Sequence, residues 1–167
     1  MMLTNKRKRL AKQPTVLKYP SEQEGMIWLK RRQGTAPSEI ADELDVTRAY
    51  VSKALRKAER KIELLLDHAA KINRVKLHHM SSENGLAVGY CAAYKSETII
   101  SYSPKIGIQV WFDHRGDCDS CADFGECATL ISSLSNEWAV PIARNAGPVD
   151  VVNDLFTAIM KRLEWKD

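Results

Sequence analysis

The chain has 167 residues, 44% of them hydrophobic and 28% charged, with a formal net charge of +4. That length fits one domain or two small ones, and no apolar run approaches the length needed to cross a bilayer. The N-terminal stretch "MMLTNKRKRLAKQPTV" lacks the apolar core of a secretory signal, so a cytoplasmic protein with no membrane association is expected. In that compartment four cysteines point to metal binding or redox sensing rather than structural disulfides.

The charge is unevenly spread. Residues 1–61 hold 15 Lys/Arg against 7 Asp/Glu, and residues 62–167 hold 10 against 14. A basic segment neutralises phosphates and releases condensed counterions, whereas an acidic one is repelled by them. The first 17 residues are expected to be a flexible basic arm, with "KRKR" at residues 6–9 suited to phosphates or a minor groove.

Three helices are predicted next. Ser21 and Glu24 form a capping-box start, apolar residues run through "EGMIWLKRRQ", and Gly34 ends the segment. "APSEIADELD" is the second helix, with Pro37 in its first turn. "VTRAYVSKALRKAERK" is the third, with Thr47 as its N-cap. From Val51 the apolar positions continue as Leu55, Ala58, Ile62, Leu65, Ala69 and Ile72. That 4,3 alternation is a heptad seam and suggests a linking helix over residues 63–77 that makes a homodimer. Leu64 and Leu66 widen the stripe, which leans toward globular packing instead.

Beyond Leu77 the texture changes. "GLAVGYCAAY", "ETIISYS" and "IGIQVWFD" read as three strands of an antiparallel meander, punctuated by Asn84-Gly85, Lys95-Ser96 and Pro104-Lys105. Two helices are expected after them, at about residues 127–138 and from Pro148 onward. The second buries Val151, Val152, Leu155, Phe156, Ile159, Met160 and Leu163 at helical spacing. His78 and His79 are expected at a domain junction. The predicted fold class is α+β: an all-α helix-turn-helix domain over residues 18–62, the linking helix, and a small α+β metal-binding regulatory domain over residues 78–167.

"PSEIADELDVTRAYVSKAL" carries the strongest functional signal. Ile40, Ala41 and Leu44 on one helix, Val46 at the turn, and Val51 and Ala54 on the next form the small apolar set that two crossing helices need. The pattern resembles the helix-turn-helix of transcription regulators, most closely the promoter-reading domain of sigma factors and the archaeal Tfx-type DNA-binding proteins. The resemblance covers about residues 21–62. Asp45 departs from it, standing where that family usually has a glycine at positive φ; Asp tolerates that conformation better than most residues. The resemblance implies that the second helix enters the major groove of double-stranded DNA. It places Thr47, Arg48, Ala49, Ser52, Lys53 and Arg56 outward. Arg48 suits a guanine edge and Ala49 a thymine methyl, while Tyr50, Lys57, Arg60 and Lys61 suit phosphates.

The second signal is "WFDHRGDCDSCADFGEC", which spaces His114, Cys118, Cys121 and Cys127 as H-x3-C-x2-C-x5-C. A C-x2-C pair aims two sulfurs at one ion, and a Cys3His shell suits Zn2+. Gly116 and Gly125 permit tight turns beside the pair, and Asp117, Asp119 and Asp123 oppose thiolate formation unless a cation is present. Cys91 opens a second possibility. With Cys118, Cys121 and Cys127 it supplies four thiolates for a [4Fe-4S] cluster, in the ligand order of WhiB-type iron–sulfur regulators, though the likeness is one of spacing alone. Metal-free thiol sensing is a third possibility.

No H-x-E…P-C-x-x-C, G-x-S-x-G, P-loop or dinucleotide fingerprint is present, so an enzyme is not expected. The expected function is a sequence-specific DNA-binding transcription regulator with a metal-bearing C-terminal part. The alternatives are an iron–sulfur or thiol redox-sensing transcription regulator using Cys91, Cys118, Cys121 and Cys127, and a metal-dependent interaction module that recruits transcription machinery without reading DNA.

Overall fold

The computed structural model describes residues 17–113, 116–143 and 145–165. The basic arm lies outside them except for Leu17, and so does His114.

Helix α1 spans Glu22–Arg32 and starts at the expected capping box. The Ser21 hydroxyl accepts from the Glu24 N–H at 3.2 Å, and the Glu24 carboxylate accepts from the Ser21 N–H at 2.9 Å. Helix α2 spans Pro37–Leu44, and α3 follows at Arg48–Ile72. Between them Asp45 adopts φ 51°, the left-handed conformation that the chain reversal requires. Thr47 caps α3 by accepting from the Tyr50 N–H at 3.1 Å.

Four strands follow: β1 (Val75–Ser81), β2 (Leu86–Cys91), β3 (Ser96–Ser103) and β4 (Gly107–Phe112). They pair antiparallel in the order β1-β2-β3-β4. Helices α4 (Phe124–Trp138) and α5 (Pro148–Arg162) close the chain, after a single 3-10 turn at Cys118–Ser120.

The sheet is the middle layer, because its residues alternate between two cores. Ala87, Cys91, Ile100 and Tyr102 join Ile27, Trp28, Ile40, Val51, Ala58, Ile62 and Leu66 in one core beneath α1, α2 and α3. Leu86 turns the other way and joins Ile131, Leu134, Leu155, Phe156 and Ile159 beneath α4 and α5, with Val88, Ile99 and Trp111 packed against them. Alternation with period two on strands covered on both sides gives this arrangement.

This corrects the expected fold class. Helices α1, α2 and α3 precede the strands, and α4 and α5 follow them, but the strands do not form a small separate domain at the end of a linking helix. The sheet takes α3 as one of its two covering layers. The heptad seam has an intramolecular partner: Val51, Leu55, Ala58, Ile62, Leu65 and Ala69 are buried in the chain's own core, and Ile72 alone of the seam is exposed.

The helix also ends earlier than expected. The Asn73 side chain donates to the Ala69 carbonyl at 2.9 Å, and Arg74 turns left-handed at φ 55°. Val75 lies three residues after Ile72 and two before Leu77, so helical and strand periods both fit the sequence there. The left-handed Arg74 decides for a strand, and His78 and His79 lie on β1 rather than at a domain junction. Near the middle of β1 the register slips between Leu77 and His79, opposite Gly89. A Cβ on Gly89 would stand 2.3 Å from the Lys76 carbonyl oxygen, so the close approach admits glycine only.

One buried polar junction ties three layers together. Arg32 at the end of α1 pairs with Glu137 near the end of α4 at 3.0 Å, with their side chains 1% and 9% exposed. The Arg32 guanidinium lies 4.9 Å from the Trp28 ring centre and 4.3 Å from that of Trp138. Ser103 on β3 donates its hydroxyl to the other Glu137 oxygen, and Gln33 donates to the Glu137 carbonyl at 3.1 Å. Among the described residues no helix is long and apolar enough to cross a membrane.

Candidate nucleic-acid interface and thiol cluster

The first four turns of α3, which follow the turn from α2, have one face buried and one open. Val51, Ala54, Leu55 and Ala58 face the core. Thr47, Arg48, Ala49, Tyr50, Lys53, Arg56, Lys57 and Arg60 are exposed, and Ser52 is half-buried. The burial pattern therefore agrees with the outward set read from the sequence, Ser52 in part.

The neighbours of these side chains sort them further. Lys61 is held by Glu24 at 2.5 Å, which removes it from the freely available cations. Burial alone would raise the Glu24 pKa, but the Lys61 ammonium and the Ser21 N–H together hold it below the usual carboxylate value. The Tyr50 hydroxyl donates to Gln23 on α1 at 2.7 Å, fixing the ring beside the start of α3. Arg48, Lys53, Arg56 and Arg60 make no hydrogen bond or ion pair with the described residues. Their charge is thus directed to solvent. Beyond Lys61 the exposed face carries Glu63, and the half-buried Asp67 pairs with Lys71 at 2.6 Å, so the basic stretch from Arg48 to Lys61 covers about 20 Å of helix. Gln23 and Glu24 have roles the sequence reading missed; the capping box gave Glu24 a local role only, and nothing in the spacing revealed its reach to Lys61.

The cysteines divide into two groups. Cys118, Cys121 and Cys127 all line a cavity of about 490 Å³ between β4, the 3-10 turn and the first turns of α4 and α5. Cys118 and Cys127 are partly exposed and Cys121 is exposed. Burial raises the Cys127 pKa above the ordinary thiol value, and Cys121, Asp123, Glu126 and Cys118 push it further the same way. Cys127 therefore sits among negatively charged and thiol neighbours. Asp117 braces the turn that presents Cys118 and Cys121, because its carboxylate accepts from the Asp119 N–H at 3.1 Å and from the Ser120 hydroxyl at 3.0 Å. Asp123 and Glu126 have no such bonds among the described residues.

Cys91 is not brought to this cluster. It is fully buried on the face of the sheet covered by α1, α2 and α3, and its thiol donates to the Asn73 carbonyl at 3.3 Å. Among the described residues, no group of three or more His, Cys, Asp or Glu side chains is gathered closely enough to hold a metal ion. Trp111 packs on Phe156 at 5.6 Å and donates its indole N–H to Ser101, so it is a core residue at the cavity wall. No protein-family model, curated protein or solved structure matches the chain.

Proposed function

We propose that this protein is a sequence-specific DNA-binding transcription regulator that reads double-stranded DNA with the N-terminal half of α3. The observation that carries this reading is the open stripe of Arg48, Lys53, Arg56 and Arg60, without protein partners among the described residues, on a capped helix that follows a tight turn. It fits the helix-turn-helix resemblance in the sequence. The major groove admits an α-helix, and residues at its N-terminus meet base edges. Arg48 is assigned to a base edge and Ala49 to a thymine methyl. Lys53, Arg56, Lys57 and Arg60 are assigned to phosphates, with Thr47, Tyr50 and Ser52 at the margin of the footprint.

The same proposal gives Cys118, Cys121 and Cys127 a Zn2+ ion, with His114 as fourth ligand. The shared cavity wall of the three thiols supports it. Zinc would be held by the cysteines as thiolates and would draw the ligands into one tetrahedral shell. The position of Cys91 in the other core favours this set over four cysteines around an iron–sulfur cluster.

The test is DNA affinity as a function of salt for wild type and for R48A/K53A. The double variant is expected to bind more weakly, with the slope of log K against log salt reduced by about 0.9 for each phosphate that is no longer neutralised. An unchanged affinity and slope would reject groove reading by α3 and favour an interaction module that touches transcription machinery alone.

A further inference from the structure

The cavity beside the thiols is more than a ligand shell for an ion. Its volume, about 490 Å³, lies within the range of small-molecule sites, roughly 300–1,000 Å³. Its walls are mainly apolar, with Trp111, Leu130, Ile131 and Val152 among them. Phe124 stands on the same lining and is 44% exposed, a large aromatic residue left open at the first turn of α4.

Among the described residues the charged side chains of the lining are of one sign. The lining includes Asp117, Asp123 and Glu126 and, among the described residues, no Lys or Arg. Asp117 is engaged with its own turn, so Asp123 and Glu126 are the carboxylates left open to a ligand. Loading the proposed zinc does not reverse this sign, because one Zn2+ with three thiolates and a neutral imidazole carries a net charge of −1. An apolar chamber with aromatic walls and a negative rim selects against anions and favours a positively charged apolar molecule. Aromatic faces attract a cation through the ring quadrupole, and the apolar walls take its hydrocarbon surface out of water.

We infer that this cavity binds a lipophilic organic cation, seated among Trp111, Phe124, Leu130, Ile131 and Val152 with its charge toward Asp123 and Glu126. The site does not depend on DNA reading by α3, and it lies on the layer opposite that helix.

The probes are tetraphenylphosphonium and tetraphenylborate, two ions of the same shape and opposite charge, titrated into the full chain without DNA by calorimetry. The cation is expected to bind one per chain and the anion not to bind. D123N/E126Q, which alters only exposed side chains, is expected to weaken cation binding about three- to ten-fold, the range for screened surface charges. L130W is expected to fill the chamber and abolish binding, and its far-ultraviolet circular dichroism and melting curve show whether it is folded. Should L130W not fold, the charge-neutralised variant and the anion still decide. Failure of both ions to bind, equal binding of the two, or cation binding unchanged by D123N/E126Q would each overturn the proposal.

Discussion

Replacing Glu137 with alanine is the most informative perturbation of the fold, because Glu137 lies where α1, β3 and α4 meet. In the wild type the Arg32 Nη2 donates to Glu137, while Nε and Nη1 have no acceptor among the described residues, and the guanidinium carbon lies over the Trp28 and Trp138 rings. Burial already pulls the Arg32 pKa below its ordinary value, and Glu137 is the main group opposing that shift. Without the carboxylate, a guanidinium whose side chain is 1% exposed loses its ion-pair partner, and the Ser103 hydroxyl loses its acceptor. Breaking one side of a buried pair costs about 3–5 kcal/mol, which for a chain of this size lowers Tm by on the order of 10 °C. Replacing both partners by apolar residues, as in R32M/E137L, removes the orphaned charge and is expected to cost far less. The assay is urea unfolding followed by both circular dichroism and tryptophan fluorescence. Because the sheet joins both cores, the two probes are expected to report one transition. A loss below about 1 kcal/mol for E137A, or a double variant as unstable as the single, would refute the assignment of this pair as a buried junction.

Three further outcomes are expected. Gly89→Ala forces a Cβ against the Lys76 carbonyl oxygen and should destabilise the protein by about 1–3 kcal/mol or more, read as a shift in the urea midpoint; an unchanged midpoint would mean that β1 does not approach β2 there. Glu24 has a folded pKa below its unfolded value, so its contribution is present above about pH 4.3 and lost as pH falls through the lower folded value. Wild type should therefore exceed Glu24→Gln in stability at pH 7, and the gap should close as pH falls below the folded value; a gap constant with pH would remove the Lys61 pairing as its cause. Cys121→Ser should abolish stoichiometric zinc, measured by elemental analysis of protein purified without oxygen, whereas Cys91→Ser should leave it in place. Iron with sulfide, lost in Cys91→Ser, would reverse the choice between the two ligand sets.

The sequence was informative where one local rule acted alone. The Ser21 capping box, the Thr47 cap and the left-handed Asp45 depend on their own neighbours and were legible as such. The seam from Val51 to Ala69 was legible as an apolar stripe, but a 4,3 spacing does not say whether the stripe faces a second chain or a sheet of the same chain. That ambiguity led to the linking helix and hid β1, whose Val75 and Leu77 suit either period. The Arg32–Glu137 junction was illegible because its partners are 105 residues apart and each looks like an ordinary exposed charge. In the candidate site, the C-x2-C pair marked the shared wall for Cys118, Cys121 and Cys127. Spacing alone could not show that Cys91 points into the opposite core.

The central claim, that α3 reads base sequence, is tested most directly by selecting duplexes bound by the full chain from a randomised pool at physiological salt. The expected result is enrichment of a short recurring sequence by the wild type, with the preference relaxed at one position in Arg48→Ala. Binding that enriches no sequence, or a preference untouched by Arg48→Ala and Lys53→Ala together, would contradict it.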